Sequence, residues 1–420
     1  MPCWGWLTLV LAVIGFVWAL DAWFLPNPVI RPFILRRFGK AGDSDPVMPA
    51  TEKTSQSIDA RLEQIETRLG QIAEYLDGLP ETKDKKKRDL FTRGREAQKA
   101  YQYTEAIRIF NEILSLETSG SERAALHILI GNCLWGQSSL DGAAEHYRLA
   151  EQAARSANDL NGLSAAQGNL GVIYLDKGDP ERAKEYHQQS LQIHQEIDNR
   201  LGQANALGNL GIVYFQKGEL GRAQEHHQQA LKIQEEIGDR LGQANQLNNL
   251  GSAYLQKGEL DSALQHFQQA LEIYRQIGNL MGQANILSNL GLVCRRKGEF
   301  DRALERFQQA LNIHKEIGNR QGQANVLSNL GLVYVDQGNL DRAQEHFQQA
   351  LEITKEIGNR LVQAHALGNL GIVYRQKGDL DRALENLQQA LEIFQQIGAR
   401  LEVEKTKQNI EDTLKSKEKK

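Results

Sequence analysis

The chain of 420 residues carries 49 lysines and arginines against 53 aspartates and glutamates, a formal net charge of -4. That near balance argues against a general nucleic-acid binder, which needs a basic excess to release counterions. Its three cysteines, Cys3, Cys133 and Cys294, have neither metal nor redox spacing and suggest no disulfide framework, as fits a reducing compartment.

Residues 3–25 form an apolar run broken only by Asp21, with Trp4, Trp6, Trp18 and Trp23 near its two ends. As a helix it would be about 34 Å long, enough to span a bilayer, with indoles at the interfaces. A cleaved signal peptide needs a basic n-region, and none precedes the run. The expectation is therefore an uncleaved transmembrane helix. Arg31, Arg36, Arg37 and Lys40 follow at once, which places that flank and everything after it in the cytoplasm of a single-pass protein. Residues 26–57, with five prolines, read as a linker without a packed core.

In residues 58–79, Ile58, Leu62, Ile65, Leu69, Ile72, Leu76 and Leu79 are spaced 4-3-4-3-4-3, a heptad seam. The seam is expected to form a short coiled coil and a homodimer. The alternative is an amphipathic helix packed on its own first repeat. Residues 80–86 are a charged spacer.

From there a unit of forty residues dominates. Gly171, Gly211, Gly251, Gly291, Gly331 and Gly371 mark six copies forty residues apart, and two less regular copies precede them. A fixed period of this size is the signature of stacked repeats. Each unit reads as two helices. Leu207, Leu210, Gly211 and Tyr214 share one face of the first, and Ala223, His227, Ala230, Leu231 and Ile237 share one face of the second. Gly218 stands at the break, where a left-handed residue is wanted, and Gly238 ends the second helix. Asp239 is placed to cap the next helix, and Asp198 replaces the terminal glycine in one copy. Gly211 and Ala223 read as small residues at facing positions. Residues 401–420 match a lone first helix with a basic tail, a polar end for the stack.

Leu247-x2-Leu250-Gly251-x2-Tyr254 followed by Ala263-x3-Phe267 resembles the tetratricopeptide repeat motif. Leu replaces the family's Trp in most copies, His187 and His227 replace the Phe in two, and the closing Pro is absent. The forty-residue period is similar to that of kinesin light chain and of LGN-type spindle-orientation adaptors. The resemblance implies an all-α fold, an α-solenoid wound as a right-handed superhelix of about eight helix-turn-helix repeats over residues 87–400. It is specific for fold and unspecific for function.

No phosphate-cradling loop, zinc-protease motif or nucleophile elbow occurs, so neither an enzyme nor a cofactor or metal is expected. His227, at the Phe position, reads as core, and Cys294, at a Tyr position, as a small buried hydrophobe. The informative residues are asparagines on the first helices, four apart and so one turn above each other. They are Asn205/Asn209, Asn245/Asn249, Asn285/Asn289 and Asn325/Asn329, with Asn169 alone in one copy and His365/Asn369 in another. In the repeats this chain resembles, those positions face the concave groove and hold a partner peptide. An amide offers both a donor and an acceptor to a peptide group of any sequence. A purely structural ladder of asparagines is the competing interpretation. Asp176, Gln216, Gln256, Arg296, Asp336 and Gln376, further along the same face, are candidates for setting the partner's sequence. The functional expectation is a membrane-anchored adaptor or scaffold for a protein or peptide partner. The alternative is a structural protein that self-assembles at the membrane.

Overall fold

In the computed structural model, residues 85–116 and 118–418 are described. They fold into seventeen helices with no strand among the described residues, an all-helical solenoid. The chain divides into two compact units, one ending at Lys217 and the other continuing from Gly218.

The first unit holds α1 (Lys85–Lys99), α2 (Tyr103–Leu114), α3 (Gly120–Gly136), α4 (Leu140–Ser156), α5 (Leu160–Asp176), α6 (Pro180–Glu196) and α7 (Arg200–Gln216). The second holds α8 (Leu220–Glu236), α9 (Arg240–Lys257), α10 (Leu260–Gln276), α11 (Leu280–Arg296), α12 (Phe300–Glu316), α13 (Arg320–Asp336), α14 (Leu340–Glu356), α15 (Arg360–Lys377), α16 (Leu380–Gln396) and the lone α17 (Arg400–Glu418). Within each unit every helix packs on the next, and first helices of neighbouring repeats also touch, as α9 with α11 and α13 with α15.

Local chemistry sets the breaks. Gly218 and Gly238 take φ of 76° and 73°, and Asp198 takes 51° in the same left-handed role. Asn199, Asp239, Asn279, Asn319 and Asn359 cap the first helices, each accepting from the backbone N–H three residues on. Second helices bury one stripe, such as Ala263, Phe267, Ala270 and Tyr274 of α10. First helices are buried on most sides because each lies between a partner helix and the first helices of its neighbours.

Two glycine contacts fix the helix spacing. Inside a repeat, the first-helix glycine lies against a large side chain of the second helix, a ring in all the described cases but Gly371, which meets Leu387. A Cβ on Gly251 would stand 2.6 Å from Phe267 Cε1, and one on Gly291 2.7 Å from Phe307 Cε1. In these two copies the nearest atoms belong to the aromatic, four residues after the alanine. Between repeats, Gly242, Gly282 and Gly322 lie against Gln234, Tyr274 and His314, where a Cβ would overlap the larger side chain. At the same two registers one copy has Thr354 and Val362, both fully buried.

The final copy has Phe394 and Glu402 there. Glu402 is 3 % exposed, its Oε2 has no hydrogen-bond partner, and Lys405 Nζ lies 3.7 Å from its Oε1. Burial raises its pKa, against the pull of Lys405. A carboxyl with a raised native pKa binds a proton that the unfolded chain releases, so its contribution falls as pH rises from the ordinary carboxylate range upward. Glu402→Met is expected to stabilise α17 by about 1–3 kcal/mol at neutral pH. The gain in melting temperature over the parent should be larger at pH 7 than at pH 4.5. An equal gain at both pH values would show that the charge is not its source.

The expected localisation, a single-pass membrane protein with its repeats in the cytoplasm, is corrected here. Among the described residues no helix is long and apolar enough to cross a membrane. The physical reason is visible in α9, whose apolar residues are interleaved with Gln243, Asn245, Gln246, Asn248 and Asn249, and in α17, which is mostly charged. The 3–25 run, the 26–57 linker and the 58–79 seam with its expected homodimer lie outside the described residues. Of the spacer, Lys85 and Lys86 stand in α1.

Candidate functional site

In the second unit the asparagine rows fall on α9, α11, α13 and α15. Their forty-residue spacing brings them to equivalent positions on successive first helices. The two rows differ in environment. Asn245, Asn285 and Asn325 are half-buried. In the second row Asn249 is half-buried, but Asn289 and Asn329 are each 1 % exposed and Asn369 2 %. His365, which takes the first-row place on α15, is buried edge-on to Phe394 with ring centroids 5.1 Å apart. In the first unit Asn169, Asn205 and Asn209 are all buried.

The hydrogen bonds follow that division. The Tyr274 hydroxyl donates to Asn245 Oδ1, and Gln321 Nε2 donates to Asn325 Oδ1 at 3.0 Å. Asn289 Nδ2 reaches across from α11 to Asn248 Oδ1 on α9 at 2.9 Å. Asn248 is itself buried between the two helices. The forty-one-residue separation of this pair is the signal that could have revealed it. Asn209 Nδ2 and both amide atoms of Asn369 are buried without a partner. Ser288 and Ser328 turn their hydroxyls onto their own helices, donating to Ala284 and Ala324 carbonyls at 3.0 Å. Beside Gly368, by contrast, a Cβ would meet nothing within 4 Å.

The variable row further along the face is largely engaged internally. Trp135 Nε1 donates to Asp176 Oδ2 at 3.0 Å, and Arg295 Nε donates to Asp336 Oδ2 at 2.6 Å. Arg296 donates to the Leu255 carbonyl at 2.9 Å. Gln376 is exposed.

The buried histidines are core residues. His227 Nδ1 lies 2.8 Å from Gln246 Oε1, and burial holds its pKa down to about 4. Burial does the same to His314, also to about 4. Cys133 and Cys294 are buried thiols, with burial pushing Cys133 up to about 12. Among the described residues no group of three or more His, Cys, Asp or Glu side chains is placed to hold a metal ion.

No curated protein matches this chain by sequence. Several solved structures share its fold. The apo form of RapI is 18 % identical, with a TM-score of 0.54 over 65 % of this chain and 98 % of RapI. A Rap protein complexed with Competence and Sporulation Factor is 14 % identical, with a TM-score of 0.53 over 79 % of this chain and 99 % of that one. Aspartyl phosphate phosphatase F from Bacillus subtilis is 12 % identical, with a TM-score of 0.57 over 86 % and 97 %. At these identities the likeness is one of fold alone. Family models described as tetratricopeptide repeat match residues 91–159, 162–236, 242–316 and 322–396. With well over half of its length matched in this way, the chain belongs to the tetratricopeptide repeat family.

Proposed function

We propose that the chain is a protein-binding repeat scaffold that holds a segment of a partner protein along the first helices of its second unit. The observation that carries this reading is the row of half-buried amides, Asn245, Asn285 and Asn325, at equivalent positions on α9, α11 and α13. Amides repeated at the helix-to-helix interval suit a ligand that presents peptide groups rather than one particular side chain. No cationic side chain stands in that row, which argues against a clamp for a terminal carboxylate. The Rap protein of similar fold was solved complexed with Competence and Sporulation Factor, which is support at the level of the fold alone.

The second row has a different role in this reading. Asn289 and Asn329 are buried, so their amides secure the stacking of first helices, and the half-buried row meets the partner. The two rows can be separated by experiment. Asn285→Ala with Asn325→Ala removes two neutral hydrogen-bonding groups, worth about 0.5–1.5 kcal/mol each. Affinity for a partner captured on the full-length chain is expected to fall about 5- to 150-fold, with a smaller loss of melting temperature, from the Gln321 amide that donates to Asn325, than Asn289→Ala causes. Asn289→Ala should do the reverse, lowering the melting temperature by stranding the Asn248 carbonyl. Unchanged affinity in the double variant would place the contact surface elsewhere.

A further inference from the structure

His127 on α3 and His146 on α4 meet across the second helix pair. Their Nδ1 atoms are 3.2 Å apart, their ring centroids 5.2 Å, and their planes are tilted by 53°. Both rings are half-buried. Other repeats do not build this pair. At the register of His146 two of them carry His266, stacked on Tyr254 at 4.9 Å, and His346, 5.1 Å from Tyr334. Each of those rings places Nδ1 2.8 Å from a carbonyl of its own helix, that of Ser262 or Arg342. In the second pair Leu134 takes the tyrosine's place, and histidine stands at 127 where later copies have Gln167, Leu247, Leu287, Leu327 or Leu367. Two departures from the repeat thus coincide, and together they turn two imidazoles onto each other.

We propose that His127 and His146 form a two-imidazole site for a divalent transition metal of the zinc class, each ligating through Nδ1. Two nitrogens bound to tetrahedral zinc at about 2.0–2.1 Å are themselves about 3.3 Å apart, so the pair is already set at nearly the required bite. Imidazole nitrogen selects zinc, nickel or copper over calcium and magnesium, which take oxygen ligands. At the pH of the test, 7.5, an imidazole with its ordinary pKa of about 6.5 is neutral, so lone pairs are available for a metal. Without metal, one Nδ1–H donates to the other Nδ1. On binding, that proton transfers to Nε2 of the same ring, which stays neutral, and no net proton is released. The remaining coordination positions fall to water, because among the described residues no third His, Cys, Asp or Glu stands close enough to complete a set. Arg123, a turn before His127, opposes a cation there, and Glu145, beside His146, favours one.

The test uses the full chain, freed of metal with a chelator and titrated at pH 7.5 with zinc by calorimetry and with cobalt by visible absorption. One saturable site per chain is expected, with zinc raising the melting temperature of the parent. His127→Leu should abolish both effects, and His146→Tyr should do the same. Leucine and tyrosine stand at those registers in other copies, as Leu247 and Tyr186, so both variants should fold. His266→Ala should leave the site intact. The proposal is overturned if the parent shows no saturable uptake by about millimolar zinc, or if His127→Leu binds the metal as the parent does.

Discussion

Replacing Phe307 by alanine is expected to destabilise the second unit by about 3–5 kcal/mol, the range for emptying the site of a fully buried aromatic ring. The ring is fully buried and belongs to an apolar cluster of that unit with Leu290, Val293, Ala303 and Ala310. The sharper expectation concerns its neighbour. In the parent, Gly291→Ala places a Cβ 2.7 Å from Phe307 Cε1 and 2.8 Å from Cζ, an overpacking that costs about 1–3 kcal/mol. In the Phe307→Ala background the same Cβ enters vacated space, and alanine is better than glycine in a helix by about 1 kcal/mol. The sign of the Gly291→Ala effect should therefore reverse between backgrounds. Denaturant unfolding of the four proteins in a double-mutant cycle reads this directly. If Gly291→Ala destabilises both backgrounds equally, the glycine is not there to receive the ring.

Acid should weaken the second unit before its carboxylates titrate. His227 and His314 are buried as neutral imidazoles with pKa values of about 4, against about 6.5 in an unfolded chain. Between these values the unfolded state takes up protons that the native state refuses. Stability is thus fully present above pH 6.5 and is lost as pH falls toward 4, by about 3 kcal/mol per imidazole at the lower end. Sibling repeats supply the replacements: Phe267 stands at the register of His227, and Tyr274 at that of His314. The double variant His227→Phe, His314→Tyr is expected to show a much flatter melting temperature between pH 7 and pH 4.5 than the parent. If the two curves run parallel, the acid sensitivity comes from other groups.

Much of the fold could be read from the residues because the local chemistry is repeated. The left-handed glycines, Asp198 in the same role, the Asp239 cap and the burial of His227 and Cys294 all follow from a residue's type and its place in the period. What could not be read is how deep each face of a first helix lies. Asn248 and Asn249 are adjacent, about 100° apart around the helix, yet one lies in the seam with α11 and the other is half-buried. Periodicity locates a stripe on one helix. It does not tell which of two neighbouring stripes meets the next repeat, because that depends on the rotation between repeats, and the rotation is set by contacts such as Gly282 on Tyr274. For the same reason both asparagine rows looked equally open in the sequence, although most of the second is enclosed.

The glycine seams between repeats also constrain how an array like this can change length. Near-identical copies invite slippage during replication, which removes whole forty-residue segments in frame. Loss of residues 282–321 would bring Gly322 opposite Tyr274 and keep a glycine against a ring. Loss of residues 322–361 would instead bring Val362 opposite His314, where even the Cβ of an alanine would overlap the imidazole. Two deletions of identical size, in stretches of nearly identical sequence, thus differ in outcome, one leaving a shorter working array and the other a broken seam. Thr354 and Val362 have to be inherited together, and that pair marks a boundary across which copies are not interchangeable.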